Sequence, residues 1–290
     1  MPPDATRGGG ATDAGEASAS VPPPAPHPLW GRRTVLVMDS TSEELSLALL
    51  LRGQPAGAVY APLGRRITGA ILPRLDALLR AAGVTVRDVE MLVAGRGPGS
   101  FTGTRIALGV AHTFAMVAGV PLLGVDALQV LAWLAEPPPP ELAGPLRAGQ
   151  EPPVLHALLN CVRDEVYHAE YVWQEAPWGG LLPVRRGEIT LADMLGLRAR
   201  IGDAPVVLRR FPGNRGQIRS HEEGPFAGLR HATRRRAQPD GWALLAAALE
   251  QQASPGAVMP ATPIYLKSEA FRKWKGATEQ AQNAAGERAE

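Results

Sequence analysis

The apolar positions in the first half of the chain alternate between strand-like runs and a helix-like repeat. TVLVMDSTS, residues 34–42, predicts a short strand, and LSLALLLRGQPAGAVYAPL, from residue 45, predicts a hairpin turning near Gly53 and Gln54. Apolar residues then recur at helical spacing up to Gly83 and predict a helix over about 68–82: Ile71, Leu72, Leu75, Leu78, Leu79 and Ala82.

A second strand and helix follow. VEMLVAG, ending at residue 95, predicts a strand, the glycine-rich loop GRGPGSFTG covers residues 95–103, and residues 102–118 are predicted to be helical before the strand VPLLGVD. Strands that alternate with helices predict an α/β fold, in which a parallel or mixed sheet is covered by helices.

Composition shifts divide the rest of the chain. The proline-rich stretch 136–153 predicts a linker between a first lobe, 31–135, and a second lobe, 154–275. The second lobe opens on VLHALLNCVRDEVYHAEYVW, a predicted hairpin turning at Arg163 and Asp164, and later contains a predicted helix at 240–252 and the extended segment TPIYLK. Residues 1–30 are expected to be a disordered tail, and residues 276–290 a polar tail. Both lobes begin with paired strands followed by helices, which hints at a duplicated fold.

Bulk charge and cysteine content favour a cytoplasmic protein. The 290 residues carry 30 basic and 28 acidic side chains, a net charge of +2, which does not by itself indicate a polyanionic partner. The single cysteine, Cys161, cannot form an internal disulfide, and no apolar run is long enough for a membrane span.

The glycine loop allows two interpretations. A glycine turn before a helix leaves amide hydrogens free for an anion or nucleotide. The alternative, which we favour, is a sharp turn with Ser100 or Thr102 capping the helix, because the loop lacks a P-loop lysine. The residues of the possible anion site are Asp39, Ser40, Gly97, Gly99, Ser100, Thr102 and Gly103.

The helix predicted after this loop is almost uncharged, with Arg105 its one formal charge besides His112. One face carries bulky side chains (Ile106, Val110, Phe114 and Val117) and another carries small ones (Ala107, Ala111, Ala115 and Ala118). Such a helix should be covered on two sides, either by another helix of the same chain or by a neighbouring subunit.

At this point the sequence resembles the TsaB family. The resemblance rests on LVMDSTSEELSLALL, ILPRLDALLRAAG, GRGPGSFTGTRIALGVAHTFA, GVDAL, DEVYHAEY and PIYLK in that order, and it is densest over residues 34–130. It implies two ribonuclease-H-like lobes of the actin, Hsp70 and sugar-kinase superfamily. It also implies a non-catalytic subunit that supports TsaD in modifying the adenosine next to the tRNA anticodon.

The resemblance also implies partners. First-lobe helices would pair with TsaD, or with a second copy when TsaD is absent, and the ATPase TsaE would dock on that pair. ATP would be used by the complex, and no cofactor would be bound tightly. The expected interface residues are Ile71, Leu75, Leu78, Ala107, Ala111, Ala115 and Ala118.

Independent catalysis has little support in the residues. No two histidines are four apart, so the helical His-x-x-x-His metal pair is missing, and no metal site is expected. The segment from Asp39 to Ser42 lacks the glycine of a superfamily phosphate loop. Asp39 and Asp126 could form a magnesium-binding pair, but capping roles fit them better. The alternative function is an independent ATP-dependent kinase or ATPase.

An arginine-rich segment at 208–236 is a possible tRNA contact. Its candidate residues are Arg209, Arg210, Arg234, Arg235 and Arg236. Aromatic side chains for base stacking are sparse there, and charge runs are commonly solvated loops, so a solvated loop is the simpler interpretation.

Overall fold

The described residues form two β-sheets with helices packed on both faces. The structure, a computed structural model, describes residues 33–42, 44–135, 154–161, 165–175, 181–209 and 261–264. The predicted linker at 136–153, the predicted helix at 240–252 and both predicted tails lie outside these ranges.

The first sheet has the strand order β3-β2-β1-β4-β5, with β1 to β3 antiparallel and with β4 and β5 parallel to β1. Its predicted hairpin is confirmed: Arg52 and Gly53 form the turn, with φ of 53° and 75°. The strands and helices of this lobe are β1 (Val35–Asp39), β2 (Glu44–Leu51), β3 (Gln54–Pro62), α1 (Ile67–Ala81), β4 (Met91–Gly95), α2 (Phe101–Ala118), β5 (Leu122–Val125) and α3 (Ala127–Trp133).

The second sheet repeats the strand order of the first. Its order is β8-β7-β6-β9, with β6 to β8 antiparallel and β9 parallel to β6, as in the first four strands of the other sheet. The hint of a duplicated fold is therefore confirmed. The elements are β6 (Val154–Asn160), β7 (Glu165–Glu175), β8 (Leu181–Asp193), α4 (Met194–Ile201) and β9 (Val206–Arg209).

Helix α3 lies between the two sheets. Val130 and Leu134 pack on the first sheet with Val35 and Val37 of β1, whereas Leu128 and Leu131 pack on the second sheet with residues that include Leu155 and Tyr171. Helices α1 and α2 cover the other face of the first sheet, and α4 covers the other face of the second. The layers therefore run α1 and α2, first sheet, α3, second sheet, α4.

A short segment late in the chain packs back on the first lobe. Ala261 lies in the core with α1 and α2, and its carbonyl accepts a hydrogen bond from His112 Nε2 at 2.8 Å. The amide of Ile264 donates to the carbonyl of Arg96 at 2.8 Å. The described part of the predicted segment TPIYLK, residues 262–264, therefore borders the glycine loop.

Among the helices that the structure describes, none has the length and apolar character to span a bilayer.

Candidate partner-binding site

The glycine loop packs closely against the C-terminal end of β1 and the residue that follows it. A Cβ on Gly95 would collide with the Asp39 carboxylate, and a Cβ on Gly103 would collide with the Ser40 carbonyl oxygen. Glycine is therefore required at both positions, at Gly95 because the Asp39 side chain lies close and at Gly103 because two backbones approach each other closely. The structure does bring the Asp39 and Ser40 segment to the glycine loop, as the sequence suggested.

Hydrogen bonds hold this contact in a turn conformation. Ser40 Oγ donates to the Gly103 carbonyl at 2.7 Å, and the Ser100 amide donates to the Thr41 carbonyl at 2.6 Å. Ser100 Oγ accepts from the Gly103 amide at 3.1 Å and so caps α2. The interpretation of the loop as a helix-capping turn is confirmed, with Ser100 as the cap.

A cleft of about 530 Å³ opens beside the start of α2, where α1 also begins. None of the described residues that line it carries a charge, and Ser100 Oγ is already used as the cap, so the described part of the walls offers hydroxyls but no cation for a phosphate. Of the possible anion-site residues, three line the cleft; the described lining residues are Ser42, Gly64, Ile67, Thr68, Ser100, Thr102, Gly103 and Ile106.

The small-residue face of α2 points inward, which corrects the interface expected from the sequence. Ala107 and Ala111 are fully buried against their own lobe, and Ala115 and Ala118 are half-buried. The alanines are small because the helix lies close to its own sheet. Ala107 and Ala111 therefore have no surface left to offer a partner.

The expected interface residues of α1 are internal as well. Ile71, Leu75 and Leu78 are 1%, 1% and 7% exposed and belong to the core between α1 and the first sheet. Their helical spacing identified the face that is buried in the lobe. The outward face of α1 instead presents Gly69 and Leu72, the latter 52% exposed.

The opposite face of α2 is exposed, and it is poor in charge. Met116 and Val117 are 77% and 60% exposed, and the guanidinium carbon of Arg105 lies 3.6 Å from the centre of the Phe101 ring, which is itself well exposed. Arg105 is the one formally charged side chain on this helix. We call the following set the exposed α2 face: Phe101, Thr102, Arg105, Gly109, His112, Thr113, Met116 and Val117.

Gly109 sits in the middle of the exposed α2 face. Nothing lies within 4 Å of the position that its Cβ would occupy, so no contact within the described structure requires glycine there. Glycine inside a helix costs about 1 kcal/mol relative to alanine. A helix that keeps glycine at an open, uncharged surface position is suited to close approach of a second backbone.

Comparisons with known proteins place the chain. The family model described as TsaD, tRNA N6-adenosine threonylcarbamoyltransferase, matches residues 63–180. The tRNA threonylcarbamoyladenosine biosynthesis protein TsaB of Escherichia coli is 35% identical over 47% of this chain and 54% of its own length. The protein of the same name from Haemophilus influenzae is 37% identical over 35% of this chain and 43% of its own length. YeaZ from Pseudomonas aeruginosa superposes over 81% of this chain and all of its own, with 25% identity and a TM-score of 0.55.

Over these spans the chain is similar to the TsaB and YeaZ proteins. Its mixed sheets covered by helices confirm the α/β fold expected from the sequence. The chain spans about half the length of the curated TsaB proteins that it matches.

Asp126 connects the two lobes. Its Oδ1 accepts a hydrogen bond from the Gln129 amide at 2.7 Å and caps α3. Its Oδ2 accepts a hydrogen bond from Arg185 Nη1 of β8 at 2.9 Å. Gln129 Nε2 donates to the Pro183 carbonyl at 2.9 Å, which adds a second link to β8. Burial raises the pKa of Asp126, while Arg185 and Arg96 oppose that shift. The capping role expected for Asp126 is confirmed.

Asp39 has a local partner too, because its Oδ1 accepts from the Thr41 amide at 2.9 Å. Both carboxylates of the proposed magnesium pair therefore act as turn or helix caps. Tyr171 is fully buried close to Asp126, and burial first, then that carboxylate, hold its pKa well above the ordinary value. The Tyr171 hydroxyl has no hydrogen-bonding partner with good geometry among the described residues.

One cluster was missed in the sequence. His156 of β6 and His168 of β7 lie side by side with Glu170, although the two histidines are 12 residues apart. A search for helical spacing could not find them. A hairpin turning near residue 163 does place residue 156 opposite residue 170, so the signal was present in the predicted register.

The arginine-rich segment lies almost wholly outside the described residues. Strand β9 ends at Arg209, whose side chain is not described, and Arg210 and residues 234–236 follow outside the described ranges. Contact with tRNA at this segment stays a prediction.

Proposed function

We propose that this chain acts in tRNA threonylcarbamoyladenosine biosynthesis as a non-catalytic partner subunit of TsaD, and that it docks through the exposed α2 face. The complex would use ATP, and TsaE would dock on the pair. The pair would act in the cytoplasm on the tRNA adenosine next to the anticodon. In the absence of TsaD, the same face would pair with a second copy of the chain.

The supporting observation is the exposed α2 face itself. It presents large apolar side chains to solvent at Met116 and Val117, holds glycine at position 109, and carries one formal charge. Exposed apolar surface of this kind marks protein interaction sites. The names of the TsaB relatives support the class of process, and the similarity to the TsaD family model supports TsaD as the partner that we propose.

The hydroxyls that follow β1 argue against the kinase or ATPase alternative. In a nucleotide-binding member of this superfamily, that segment would approach phosphate. Here Ser40, Thr41 and Ser42 are at most 4% exposed, and Ser40 Oγ and the Thr41 backbone are bound to the glycine loop and α2. These groups are used for internal packing.

Reconstitution with purified TsaD, TsaE, ATP, tRNA and threonylcarbamoyl adenylate as the donor separates the two functions. We expect the chain alone to hydrolyse no ATP and to modify no tRNA, and we expect its addition to TsaD and TsaE to restore transfer. ATP turnover by the chain alone would favour the kinase alternative. Transfer that proceeds equally without the chain would contradict the proposal.

A charge on the exposed α2 face tests the docking site in the same assay. Met116→Glu places a carboxylate on a side chain that is 77% exposed, so the lobe should fold while transfer is lost. Leu195→Glu is the matched control, because Leu195 of α4 is 67% exposed in the second lobe. The control should support transfer as well as the wild type does; full activity of Met116→Glu would place docking elsewhere.

A further inference from the structure

The second lobe contains a side-chain cluster that partner docking does not explain. His156 and His168 are 6% and 7% exposed, and Glu170 beside them is half-buried. One ligand atom from each of the three residues lies within 4.8 Å of the other two. Imidazole nitrogens and a carboxylate oxygen are ligands of zinc and related metals.

The cluster is positioned by strand register. His156 on β6 is directly opposite Glu170 on β7, and His168 is the diagonal neighbour on the same face. That face is the one covered by α4, because Leu158 and Val166, which share the face, pack against Met194 and Leu197. Regular strands, rather than loops, therefore bring the three side chains together, and rigid elements hold a site more precisely than loops do.

A bulge in β8 lies next to the cluster. The β7 and β8 register shifts between His168, which pairs with Thr190, and Glu170, which pairs with Arg186. Gly187 inside this shift has φ of 78°, a conformation that favours glycine. Bulges of this kind re-aim side chains and are common beside functional sites.

The geometry points to a binding site for a first-row divalent transition metal, with Zn²⁺ as the fitting ion, formed by His156, His168 and Glu170. His156 Nδ1 and His168 Nε2 are 2.9 Å apart. Tetrahedral zinc with bonds of about 2.0–2.1 Å holds two ligand nitrogens about 3.3–3.4 Å apart. The rings need to separate by only about 0.4–0.5 Å, and rotation of the Glu170 side chain can bring its carboxylate to the third position.

A hydroxyl beside His168 can fix the tautomer of its ring. Thr190 Oγ1 lies 3.4 Å from His168 Nδ1, where it can accept a hydrogen bond from the Nδ1–H group. In that tautomer the lone pair of His168 Nε2 faces His156 and is available to an ion.

Two arginines near the site would repel a bound cation. Arg186 is opposite Glu170 on β8, and Arg200 of α4 is close enough to disfavour protonated histidine. Both side chains are exposed, so solvent screens their repulsion of a cation. With His168 protonated at Nδ1, the hydrogen between the two rings belongs to His156 Nδ1, and it would move to His156 Nε2 when an ion binds.

Calorimetric titration of the tag-free, chelator-stripped full chain with Zn²⁺ tests this site, and Co²⁺ absorption reports its geometry. We expect one equivalent bound, with visible bands typical of tetrahedral Co²⁺. His156→Gln and His168→Gln should each weaken binding by at least about tenfold. The matched control His112→Gln removes an exposed histidine of the first lobe and should leave binding unchanged.

Far-UV circular dichroism in the presence of chelator checks that each variant is folded. Should a histidine variant unfold, Glu170→Gln at the half-buried position is the substitute, and it should also weaken Zn²⁺ binding by about tenfold while the fold is kept. Wild-type chain that takes up no Zn²⁺ would overturn the assignment. Equal binding by the wild type and the folded cluster variants would overturn it as well.

Discussion

Replacing Arg185 by leucine should destabilise the chain by leaving a buried carboxylate without its ion-pair partner. Asp126 has no exposed side-chain surface, whereas Arg185 is 17% exposed. Removing one member of a buried ion pair costs about 3–5 kcal/mol. Asp126 keeps the Gln129 amide as a hydrogen-bond donor and Arg96 as a nearby positive charge, so we expect the lower end, about 3 kcal/mol.

Asp126→Asn in the Arg185→Leu background should restore part of that loss. Asparagine caps a helix about as well as aspartate, so the Gln129 amide keeps its acceptor, and no buried charge remains. The double variant should therefore be more stable than Arg185→Leu alone. Arg186→Leu, an exposed arginine at the next position of β8, is the control and should change stability by less than about 1 kcal/mol.

The loss of stability in Arg185→Leu, relative to the wild type, should also depend on pH in a defined direction. Without the guanidinium, the folded-state pKa of Asp126 rises further above its unfolded value, because burial then acts with less opposition. The folded variant binds more protons than its unfolded chain, so its stability falls as pH rises through that pKa. The difference from the wild type should therefore be smaller at pH 5 than at pH 7.

Urea unfolding followed by tryptophan fluorescence measures these differences. Because α3 packs on both sheets and Asp126 begins it, the two lobes should unfold together in the wild type. If the free energy of unfolding of Arg185→Leu is lower than that of the wild type by less than about 1 kcal/mol, the buried ion pair does not link the lobes as we infer. A double variant that is less stable than the single variant would refute the electrostatic explanation.

The remaining predictions concern the glycine loop and the buried tyrosines. Gly103→Ala should destabilise the first lobe by more than about 1 kcal/mol, measured by urea unfolding, since its Cβ would meet the Ser40 carbonyl; unchanged stability would contradict the close approach. Ser100→Ala should lower the free energy of unfolding by about 1 kcal/mol through loss of the α2 cap. An unchanged free energy of unfolding would show that the cap does not stabilise the lobe. Burial raises the pKa of Tyr167 and Tyr171, so the stability they contribute is complete below pH about 10 and is lost as pH rises above it. Tyrosinate absorbance during alkaline titration should appear together with unfolding; ionisation of all tyrosines in the folded chain would contradict their burial.

Local patterns in the sequence predicted the elements of the first lobe well. The hairpin at Gly53, the helix before Gly83 and the helix after the glycine loop all appear within one or two residues of their predicted bounds. Periodicity and turn-forming residues are properties of neighbouring positions, so both can be recognised in a single sequence. The repeated strand order of the second lobe was visible only as a hint, because sheet topology depends on pairing between distant strands.

The direction in which α2 faces was not predictable from its own residues. A stripe of alanines signals close approach of another backbone, but the same signal arises from the helix's own sheet and from a partner. Gly103 against Ser40 shows that the close approach at Ala107 and Ala111 is internal. The structure identifies the exposed face because Gly109 and Met116 are exposed to solvent, whereas Ala107 and Ala111 are buried.

Gly109→Leu offers the most direct test of docking through the exposed α2 face. No described residue lies within 4 Å of the Cβ position of Gly109, and leucine is a better helix former than glycine, so the variant should be as stable as the wild type or more stable, by up to about 1 kcal/mol. The same side chain would hold a partner helix away. We predict that the dissociation constant for TsaD, measured by calorimetry, rises by at least about tenfold while thermal stability does not fall. Unchanged affinity for TsaD in a folded Gly109→Leu chain would contradict docking at this face.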